Sequence, residues 1–329
     1  MSEAMNVAAC DLGGTRCRTA VVAYEGNTPH LLEETYGSWR SKDERDLGQV
    51  LDRGIGATIQ KFNGQIHGTA LAVAGPIPDH RTLFSSPNIA CLHTITPLNL
   101  AGELERRFDR ESWCANDVEA PCAGEVEMGS LRGVKNALLE NIGSGWGGAN
   151  VENGVTFAAE PGHAYIPQGG VLCGCGKTDC AEAGASGIAV ERRLREMDSR
   201  GEIRIPEEYQ ANPGAFADKE AEKGTPWAVQ LYTSLATFVG NVWGTRLNYR
   251  PSITHIAYQG SMLECAMRIG FFRDEVRRAM LARSMLPQMH ENVQIVELAA
   301  PKLQSGEPLG PLYGAASIWK RLHDERRAA

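Results

Sequence analysis

Four residues that can bind a transition metal lie between positions 163 and 180. His163, Cys173, Cys175 and Cys180 give the spacing H-x9-C-x-C-x4-C. Zinc prefers four thiolate or imidazole ligands in a tetrahedral shell, and the glycines at 174 and 176 let the backbone fold closely around one ion. The alternative is three unrelated reduced cysteines near a core histidine. The clustering favours zinc, and four protein ligands predict a structural rather than a catalytic ion.

Two glycine-rich turns have the composition of phosphate-binding segments. The first is Asp11-Leu-Gly-Gly-Thr15 and the second is Gly143-Ser-Gly145. Glycines let backbone N–H groups approach an anion closely, and a carboxylate such as Asp11 can reach the shell of a magnesium ion. Either turn alone is as consistent with an ordinary hairpin. Two such turns in the same strand context predict a site for the β- and γ-phosphates of a nucleotide.

Further polar residues lie beside these features. Asn116-Asp117 ends a short apolar segment, a position at which an Asx residue is most often a helix cap. Glu160 and Glu182 flank the metal ligands on the loop that the ion would fix, although isolated glutamates are usually solvated. The segments around Gly75 and Asn88 indicate loops when considered alone.

The elements that must position these residues alternate between strands and helices. A strand precedes each glycine turn and another follows at once, and Asn153-Gly154 is a strong hairpin signal. A dinucleotide fold is excluded, because it needs a helix directly after its glycines. The pattern indicates an α/β protein with a duplicated strand–turn–strand unit, and the polar segment Gly201–Lys223 is expected to be a surface insertion without chemistry. Apolar residues at helical spacing predict helices over 47–62, 100–108, from Pro226 to about Leu247, and 312–326.

The composition narrows the class of protein. The chain has 329 residues, of which 43% are hydrophobic and 22% charged, as expected for a globular protein of about two domains. A formal net charge of -7 without a basic cluster argues against nucleic-acid binding. The sequence contains neither an apolar run of ~18 residues nor the basic start of a signal peptide, so no membrane association is expected. Nine cysteines argue against a disulfide framework, and we expect a cytoplasmic protein.

These motifs together resemble the ROK family of bacterial sugar kinases, N-acetylhexosamine kinases and sugar-responsive repressors. The resemblance runs from about Asn6 to Ala316 and implies the α/β, two-lobed actin-like ATPase (ribonuclease H-like) fold with a central cleft. The implied small lobe comprises residues 1–115 and a returning helix in 314–329, and the large lobe comprises residues 116–313. The segments that carry the resemblance are D-L-G-G-T at 11–15, N-D at 116–117, G-S-G-W-G-G at 143–148, E-P-G-H at 160–163 and C-G-C-G-K-T-D-C-A-E at 173–182.

The resemblance also implies roles for individual residues. Asp117 is implied to be the general base that accepts the proton of the sugar hydroxyl, and His163 both ligates zinc and contacts the sugar. Tyr258-Gln259 depart from the usual glycine-rich adenosine segment, and Trp146 is bulkier than usual, either a core residue or a lid beside the nucleotide. The implied sugar contacts are Gly75, Asn88, Asn116, Asp117, Glu160, His163 and Glu182. The implied nucleotide contacts are Asp11, Gly13, Gly14, Thr15, Arg16, Gly143, Ser144, Gly145, Gly260 and Ser261.

The implied activity is transfer of the γ-phosphoryl group of Mg-ATP to a hexose, with the 6-hydroxyl of glucose as the default acceptor. N-acetylmannosamine and N-acetylglucosamine are alternatives, because Ile89-Ala-Cys-Leu92 replaces the proline and tryptophan that follow this asparagine in the family's glucose kinases. The alternative from another class is a non-catalytic, sugar-sensing regulator. The presence of Asp117, and the ten residues before Asp11, too few for a DNA-binding domain, favour the kinase. ATP and a small sugar are the expected partners, and a homodimer is expected from base rates.

Overall fold

The computed structural model describes residues 4–62 and 64–329 of the chain. Residues 1–3 and Asn63, which belong to the expected small lobe, lie outside the described residues. Contacts within the chain divide it into two units. Unit 1 comprises Met1–Gly133, Gly154–Ala158 and Ala299–Ala329, and unit 2 comprises Val134–Asn153 and Ala159–Leu298. Both units combine a β-sheet with helices, in agreement with the predicted α/β class.

Unit 1 is built on a five-stranded sheet with the order β3-β2-β1-β4-β7. The pairs β1–β2 and β2–β3 are antiparallel, whereas β1–β4 and β4–β7 are parallel. The strands are β1 (Met5–Leu12), β2 (Arg16–Glu25), β3 (Thr28–Arg40), β4 (Gly68–Val73), the short hairpin strands β5 (Thr82–Leu83) and β6 (Leu98–Asn99), and β7 (Glu111–Asn116). The helices are α1 (Leu47–Leu51) and α2 (Ala57–Lys61), joined by a π-helical turn (Asp52–Gly56), α3 (Leu100–Phe108) and α4 (Glu119–Met128).

A second sheet repeats this plan with the order β10-β9-β8-β11-β12. The pair β8–β9 is antiparallel and joined by a glycine turn. The pairs β8–β11 and β11–β12 are parallel, so the sheet combines both kinds of pairing as the first sheet does. The duplicated architecture predicted from the sequence is therefore present. The strands are β8 (Ala137–Ile142), β9 (Trp146–Glu152), β10 (Val155–Ala159), β11 (His255–Gln259) and β12 (Gln294–Glu297). The turn before β10 has φ of 53° at Asn153 and 84° at Gly154, the left-handed backbone that Asn-Gly hairpins adopt.

Unit 2 contains the long helix that was predicted to begin at Pro226, together with helices that the apolar periodicity did not predict. The helices of this unit are α5 (Ala181–Ala185), α6 (Gly187–Ser199), α7 (Pro213–Glu222), α8 (Pro226–Tyr249), α9 (Ser261–Arg268), α10 (Phe272–Arg283) and α11 (Pro287–His290). Single 3-10 turns cover Pro161–His163 and Glu207–Tyr209. Among the described residues, no helix has the length and apolar character needed to span a bilayer.

The last helix, α12 (Gly310–Ala328), belongs to unit 1. It packs against α4 and the sheet, and its buried Trp319 donates an indole hydrogen bond to the carbonyl oxygen of Glu111 at 2.9 Å. The division between the units falls at 133/134 and 298/299, whereas the resemblance implied 115/116 and 313/314. The difference has a physical reason. Helix α4 packs on α12, and the carboxylate of Glu125 accepts hydrogen bonds from the N–H groups of Ala299 and Ala300 at 2.9 and 2.7 Å.

The sheet of unit 1 is buried on both faces because its central strands are apolar on both sides. In β1, Val7 and Ala9 pack in the cluster that contains α12, whereas Ala8 and Leu12 pack in the cluster of α1, α3 and the π-helical turn. Parallel strands covered by helices on both faces have this near-continuous apolar sequence. Because helices cover both faces of the sheet, the strands are held in one register. The candidate site of unit 1 lies at their ends.

Candidate active site

The predicted site residues of unit 1 lie at one edge of the sheet. Asp11 is paired in register with Ala72, and Val73 with Asn116, so β1, β4 and β7 end side by side. The carboxyl ends of parallel strands are the usual position of ligand sites in α/β folds. The backbone N–H of Asp117 donates to the carbonyl oxygen of Val73 at 3.1 Å, which extends this edge by one residue. The strand register therefore brings together the first glycine turn and the Asn116-Asp117 pair.

Asp11 is a buried carboxylate with a cationic partner that sequence reasoning missed. Its side chain lies 3.0 Å from the guanidinium of Arg18, the residue opposite it in the β1–β2 hairpin. Burial raises the pKa of Asp11, and the charge of Arg18 opposes that increase. The symmetry of a tight hairpin around Gly14–Thr15 was a signal for this pairing, because residues equidistant from a turn face each other.

The first turn has little room for side chains. A Cβ on Gly14 would lie 2.8 Å from the carbonyl oxygen of Asn88, so the turn and the Asn88 loop are in close contact. Gly13 closes the turn by donating its N–H to the carbonyl oxygen of Arg16 at 3.0 Å, and Thr15 is exposed. The Arg16 guanidinium contacts the carboxylate of Glu307 at 3.3 Å and the hydroxyl of Ser38 at 3.2 Å, so its described partners are side chains of unit 1.

Asn116 forms hydrogen bonds at the start of α4, although Val118 occupies the N-cap position itself. Its side-chain oxygen accepts from the N–H groups of Val118 and Glu119 at 2.8 and 3.3 Å, and its amide nitrogen donates to the carbonyl oxygen of Gly75 at 3.0 Å. Gly75 has a φ of 126°, and a Cβ there would lie 1.9 Å from the carbonyl oxygen of Ser85. One amide thus links the Gly75 turn to the start of α4. Half-buried Asp117 lies between Asn116 and that helix, whose N-terminus favours a negative charge.

A second carboxylate, Glu119, is buried in the first turn of α4 and was not singled out from the sequence. Its side chain is 2% exposed, and among the described residues its Oε1 has no hydrogen-bond partner. The Nε2 atom of His80 lies 3.8 Å from that oxygen, and His80 Nδ1 is 3.0 Å from the carbonyl oxygen of Cys114. Burial raises the pKa of Glu119 to about 7 against an opposing effect of Arg321, and burial lowers the pKa of His80.

In unit 2, the second glycine turn is attached to the start of α6. The N–H groups of Gly187 and Ile188 donate to the carbonyl oxygens of Gly143 and Ser144 at 2.7 and 3.3 Å, and Gly143 donates to the carbonyl oxygen of Gly145 at 3.0 Å. The turn therefore lies at a helix N-terminus, where the dipole favours an anion. The role of this turn in phosphate binding stays a prediction.

A pocket of about 350 Å³ opens beside this turn. It is lined by the predicted nucleotide residues Gly143, Ser144 and Ser261, and the adjacent Gly260 has a φ of 99° that places it against the backbone of Ile142. The segment 201–223, which was expected to be a surface insertion without chemistry, also contributes to this lining. The lining residues from that segment are Asn212, Gly214, Ala215 and Asp218, and Asp218 accepts a hydrogen bond from the hydroxyl of Tyr232. Tyr258, which departs from the family pattern, is buried and accepts from Arg273 at 2.9 Å.

The four predicted metal ligands converge. The Nδ1 or Nε2 atom of His163 and the sulfur atoms of Cys173, Cys175 and Cys180 all lie within 4.8 Å of one another. The Cys175 and Cys180 sulfurs are 3.6 Å apart, and the Cys173 sulfur is 3.9 Å from His163 Nδ1. In a tetrahedron with zinc–sulfur bonds of about 2.3 Å, ligand atoms are about 3.8 Å apart. The donor set and its spacing therefore fit one tetrahedral zinc ion.

The carboxylates beside this loop also occupy defined positions. Glu182 Oε2 accepts the backbone N–H of Trp146 at 2.8 Å, and Glu182 Oε1 lies 3.4 Å from the Cys173 sulfur. Burial raises the pKa of Glu160; the charge of His163 lowers it and that of Glu182 raises it. The hydrogen bond from Trp146, which directly follows Gly145, places Glu182 beside the second glycine turn.

Most of this chain is similar to known proteins. The chain matches the ROK family model over residues 7–321. It is 28% identical over 247 residues to the glucokinase of Streptomyces coelicolor, covering 70% of this chain and 74% of the relative. It is 25% identical over 193 residues to the N-acetylmannosamine kinase of Haemophilus influenzae, covering 57% and 61%.

Two solved structures share the fold at low identity. The glucokinase of Streptomyces griseus in complex with glucose and AMPPNP has a TM-score of 0.70 at 20% identity, covering 97% of this chain and 100% of that one. A ROK family transcriptional regulator, a homologue of the E. coli MLC protein, has a TM-score of 0.76 at 21% identity, covering 97% and 79%. The fold is the two-lobed actin-like ATPase fold. This protein belongs to the ROK family, which confirms the predicted family and fold class.

Proposed function

We propose that this protein is an ATP-dependent hexose kinase, which transfers the γ-phosphoryl group of Mg-ATP to a sugar hydroxyl. The observation that carries the proposal is the position of Asp117. Its carboxylate belongs to a residue at the carboxyl end of a parallel strand, directly before α4 and on the same sheet edge as the Asp11 turn. The relatives named glucokinase and N-acetylmannosamine kinase support this reaction class.

Asp117 acts as the general base in this proposal. A neutral hydroxyl is a weak nucleophile, and a carboxylate that accepts its proton during attack contributes about 10²–10⁴ in rate. Asp117 lies directly before the start of α4, and a helix N-terminus favours a negative charge nearby. Asn116 orients it, because the Asn116 amide holds both the helix start and the Gly75 turn.

The two glycine turns bind the phosphates of the donor. Gly14 and Thr15 supply backbone and hydroxyl donors in unit 1, and Ser144 and Gly145 supply donors in unit 2. Gly13 and Gly143 contribute by closing the two turns, because their own N–H groups donate to Arg16 and Gly145. Asp11 is the carboxylate nearest the first turn and would hold the magnesium ion, which neutralises charge on the phosphate oxygens when bound. The pocket beside Ser144 and Ser261 takes the adenosine.

The sugar contacts are proposed at Gly75, Asn88, Asn116, Glu160, His163 and Glu182. Carboxylates and amides suit a polyhydroxylated substrate because they accept and donate several hydrogen bonds in fixed directions. Asn116 contributes through its NH₂ group, since its oxygen already accepts two backbone N–H groups. A structural zinc ion held by His163 and the three cysteines would fix the loop that carries Glu160 and Glu182.

The test is a coupled assay of ADP release by the purified protein with Mg-ATP. Glucose is the default acceptor at its 6-hydroxyl, and mannose, fructose, N-acetylglucosamine and N-acetylmannosamine are assayed beside it. Sugar-dependent turnover with one clear preference would support the kinase and identify its substrate. Absence of turnover on every sugar by folded, zinc-loaded protein would refute it.

The likeness to a transcriptional regulator makes a non-catalytic sugar sensor the second candidate. Sugar binding without ADP release in the same experiment would favour that function.

We also propose a cytoplasmic homodimer. The nine cysteines are all free thiols, which suits a reducing compartment, and sedimentation velocity at micromolar concentration would test the dimer.

A further inference from the structure

We propose that Trp146, Glu140 and Arg246 form a positioning network that holds the second glycine turn in its phosphate-binding shape. The inference rests on the proposed function, because it concerns the turn assigned to the nucleotide. These three residues are not among the predicted site residues. All three belong to unit 2, and together they enclose the base of the turn.

The strand register brings Trp146 and Glu140 to the same face of the sheet. Ile142 pairs with Trp146 and Glu140 pairs with Gly148 in the β8–β9 hairpin, so Glu140 and Trp146 are diagonal neighbours across the turn. The indole N–H of Trp146 donates to Glu140 Oε2 at 2.7 Å. This hydrogen bond joins the strand that enters the turn to the strand that leaves it.

The second oxygen of the same carboxylate is held from α8. Arg246 donates from Nη1 to Glu140 Oε1 and from Nη2 to Asn150 Oδ1, the latter at 2.5 Å. Glu140 is fully buried, and a buried carboxylate is stable only when cationic or N–H donors satisfy its oxygens. Each donor is therefore needed, and the indole ring is fixed in one orientation by its bond to a fixed acceptor.

The backbone of Trp146 is held from the opposite side by the metal-binding loop. Its N–H donates to Glu182 Oε2 at 2.8 Å, and a Cβ on Gly162 would lie 2.1 Å from its carbonyl oxygen. Trp146 is thus fixed by its ring to β8 and α8 and by its backbone to the loop. Because Trp146 directly follows Gly145, a shift of this residue displaces the turn. This contact pattern assigns the bulky residue a positioning role and does not support a lid.

The test is Trp146→Phe, which keeps an aromatic ring and removes the indole N–H. We expect the Kd of a non-hydrolysable ATP analogue, measured by calorimetry, to rise about tenfold, because a hydrogen bond to a charged acceptor is lost. The KM for the sugar should change less than twofold. Glu140→Gln should also raise the Kd of the analogue. The Kd of the double variant should be no higher than that of the single variant with the higher Kd, because both substitutions remove the same hydrogen bond.

Trp243→Phe is the matched control. Trp243 is equally buried in unit 2, and within the described part of the chain its indole N–H has no hydrogen-bond partner. The Trp243→Phe variant should therefore bind the analogue with the same Kd as the unsubstituted protein. Unchanged nucleotide affinity in Trp146→Phe, or an equal loss of sugar and nucleotide affinity, would refute the network. If the unsubstituted protein bound no adenine nucleotide, the proposed function and this inference would both fail.

Discussion

Gly314 of α12 lies against Ala120 of α4 so closely that a Cβ on the glycine would stand 1.7 Å from the Ala120 carbonyl oxygen. The two helices cover one face of the unit 1 sheet, and their approach depends on this residue having no side chain. Gly314→Ala should therefore lower the stability of unit 1 by about 2–3 kcal/mol, the usual consequence of overpacking a buried contact. Chemical denaturation followed by circular dichroism measures the change. Gly270→Ala is the control, because no atom lies within 4 Å of a Cβ there, and an equal effect of both variants would contradict the prediction.

Asp117→Asn should retain sugar binding and lose turnover. The amide has nearly the same shape as the carboxylate but cannot accept the hydroxyl proton, so kcat should fall by about 10²–10⁴ while the sugar Kd changes little. Steady-state kinetics and calorimetry measure the two quantities. Asp109→Asn is a suitable control, since Asp109 is exposed and its φ of 52° is a conformation that asparagine tolerates. Turnover near the normal rate in Asp117→Asn would remove the proposed base.

The purified protein should contain one zinc ion per chain, and Cys175→Ser should lose it. Cysteine thiolates and the His163 imidazole complete the tetrahedral shell, so loss of one ligand opens it. Metal content by mass spectrometry and the KM for the sugar are the measurements. The KM should rise with metal loss because Glu160 and Glu182 lie on the loop that the ion would fix. Cys265→Ser, outside the cluster, should keep the metal, and a metal-free native protein would disprove the site.

Glu119 should make stability decrease as pH rises from about 4.5 to about 7. Its pKa is about 7 in the folded protein against 4.5 as the ordinary value, so between these pH values the folded state keeps a proton that the unfolded state releases. This loss of stability is complete above pH 7, where it lowers the free energy of unfolding by on the order of 3 kcal/mol.

Denaturation of the unsubstituted protein and of Glu119→Gln from pH 5 to pH 8 tests this effect. The groups that face Glu119 or its partner His80 are Arg321, Asp79 and Glu325, and they are present in both proteins. The variant should be similar in stability to the parent at pH 5 and more stable at pH 8. A difference between the two that does not vary with pH would contradict the assignment.

Local chemistry made several features of this molecule predictable. The metal ligands lie within one loop, and each glycine turn joins two strands that are adjacent in sequence, so residue types and spacing were sufficient. Apolar periodicity was sufficient for the helices near 47–62, 100–108, 226–247 and 312–326, and not for the other helices of the chain. The family resemblance supplied the roles of Asp117 and the sugar residues, which no spacing rule would have assigned.

Features that depend on distant segments were not predictable in this way. Glu119 is unusual only because His80 and α12 bury it, and its position after the Asx pair Asn116-Asp117 resembles that of an ordinary first-turn glutamate. Arg246 reaches Glu140 across 106 positions of the chain, so neither residue suggested the other. Asp218 belongs to a polar segment whose composition indicates a surface insertion, although that segment lines a pocket in the folded protein.

The discontinuity of unit 1 has a consequence for synthesis on the ribosome. The five strands of its sheet are complete at Asn116, but α12 begins only at Gly310. At a synthesis rate of ~5–20 residues per second, about 10–40 s would pass before α12 is made and Trp319 covers the apolar face of the sheet. Unit 2 ends at Leu298 and has no later segment. The part of the protein that is translated first is therefore the part that finishes folding last, and a nascent chain would need protection of that face during the interval.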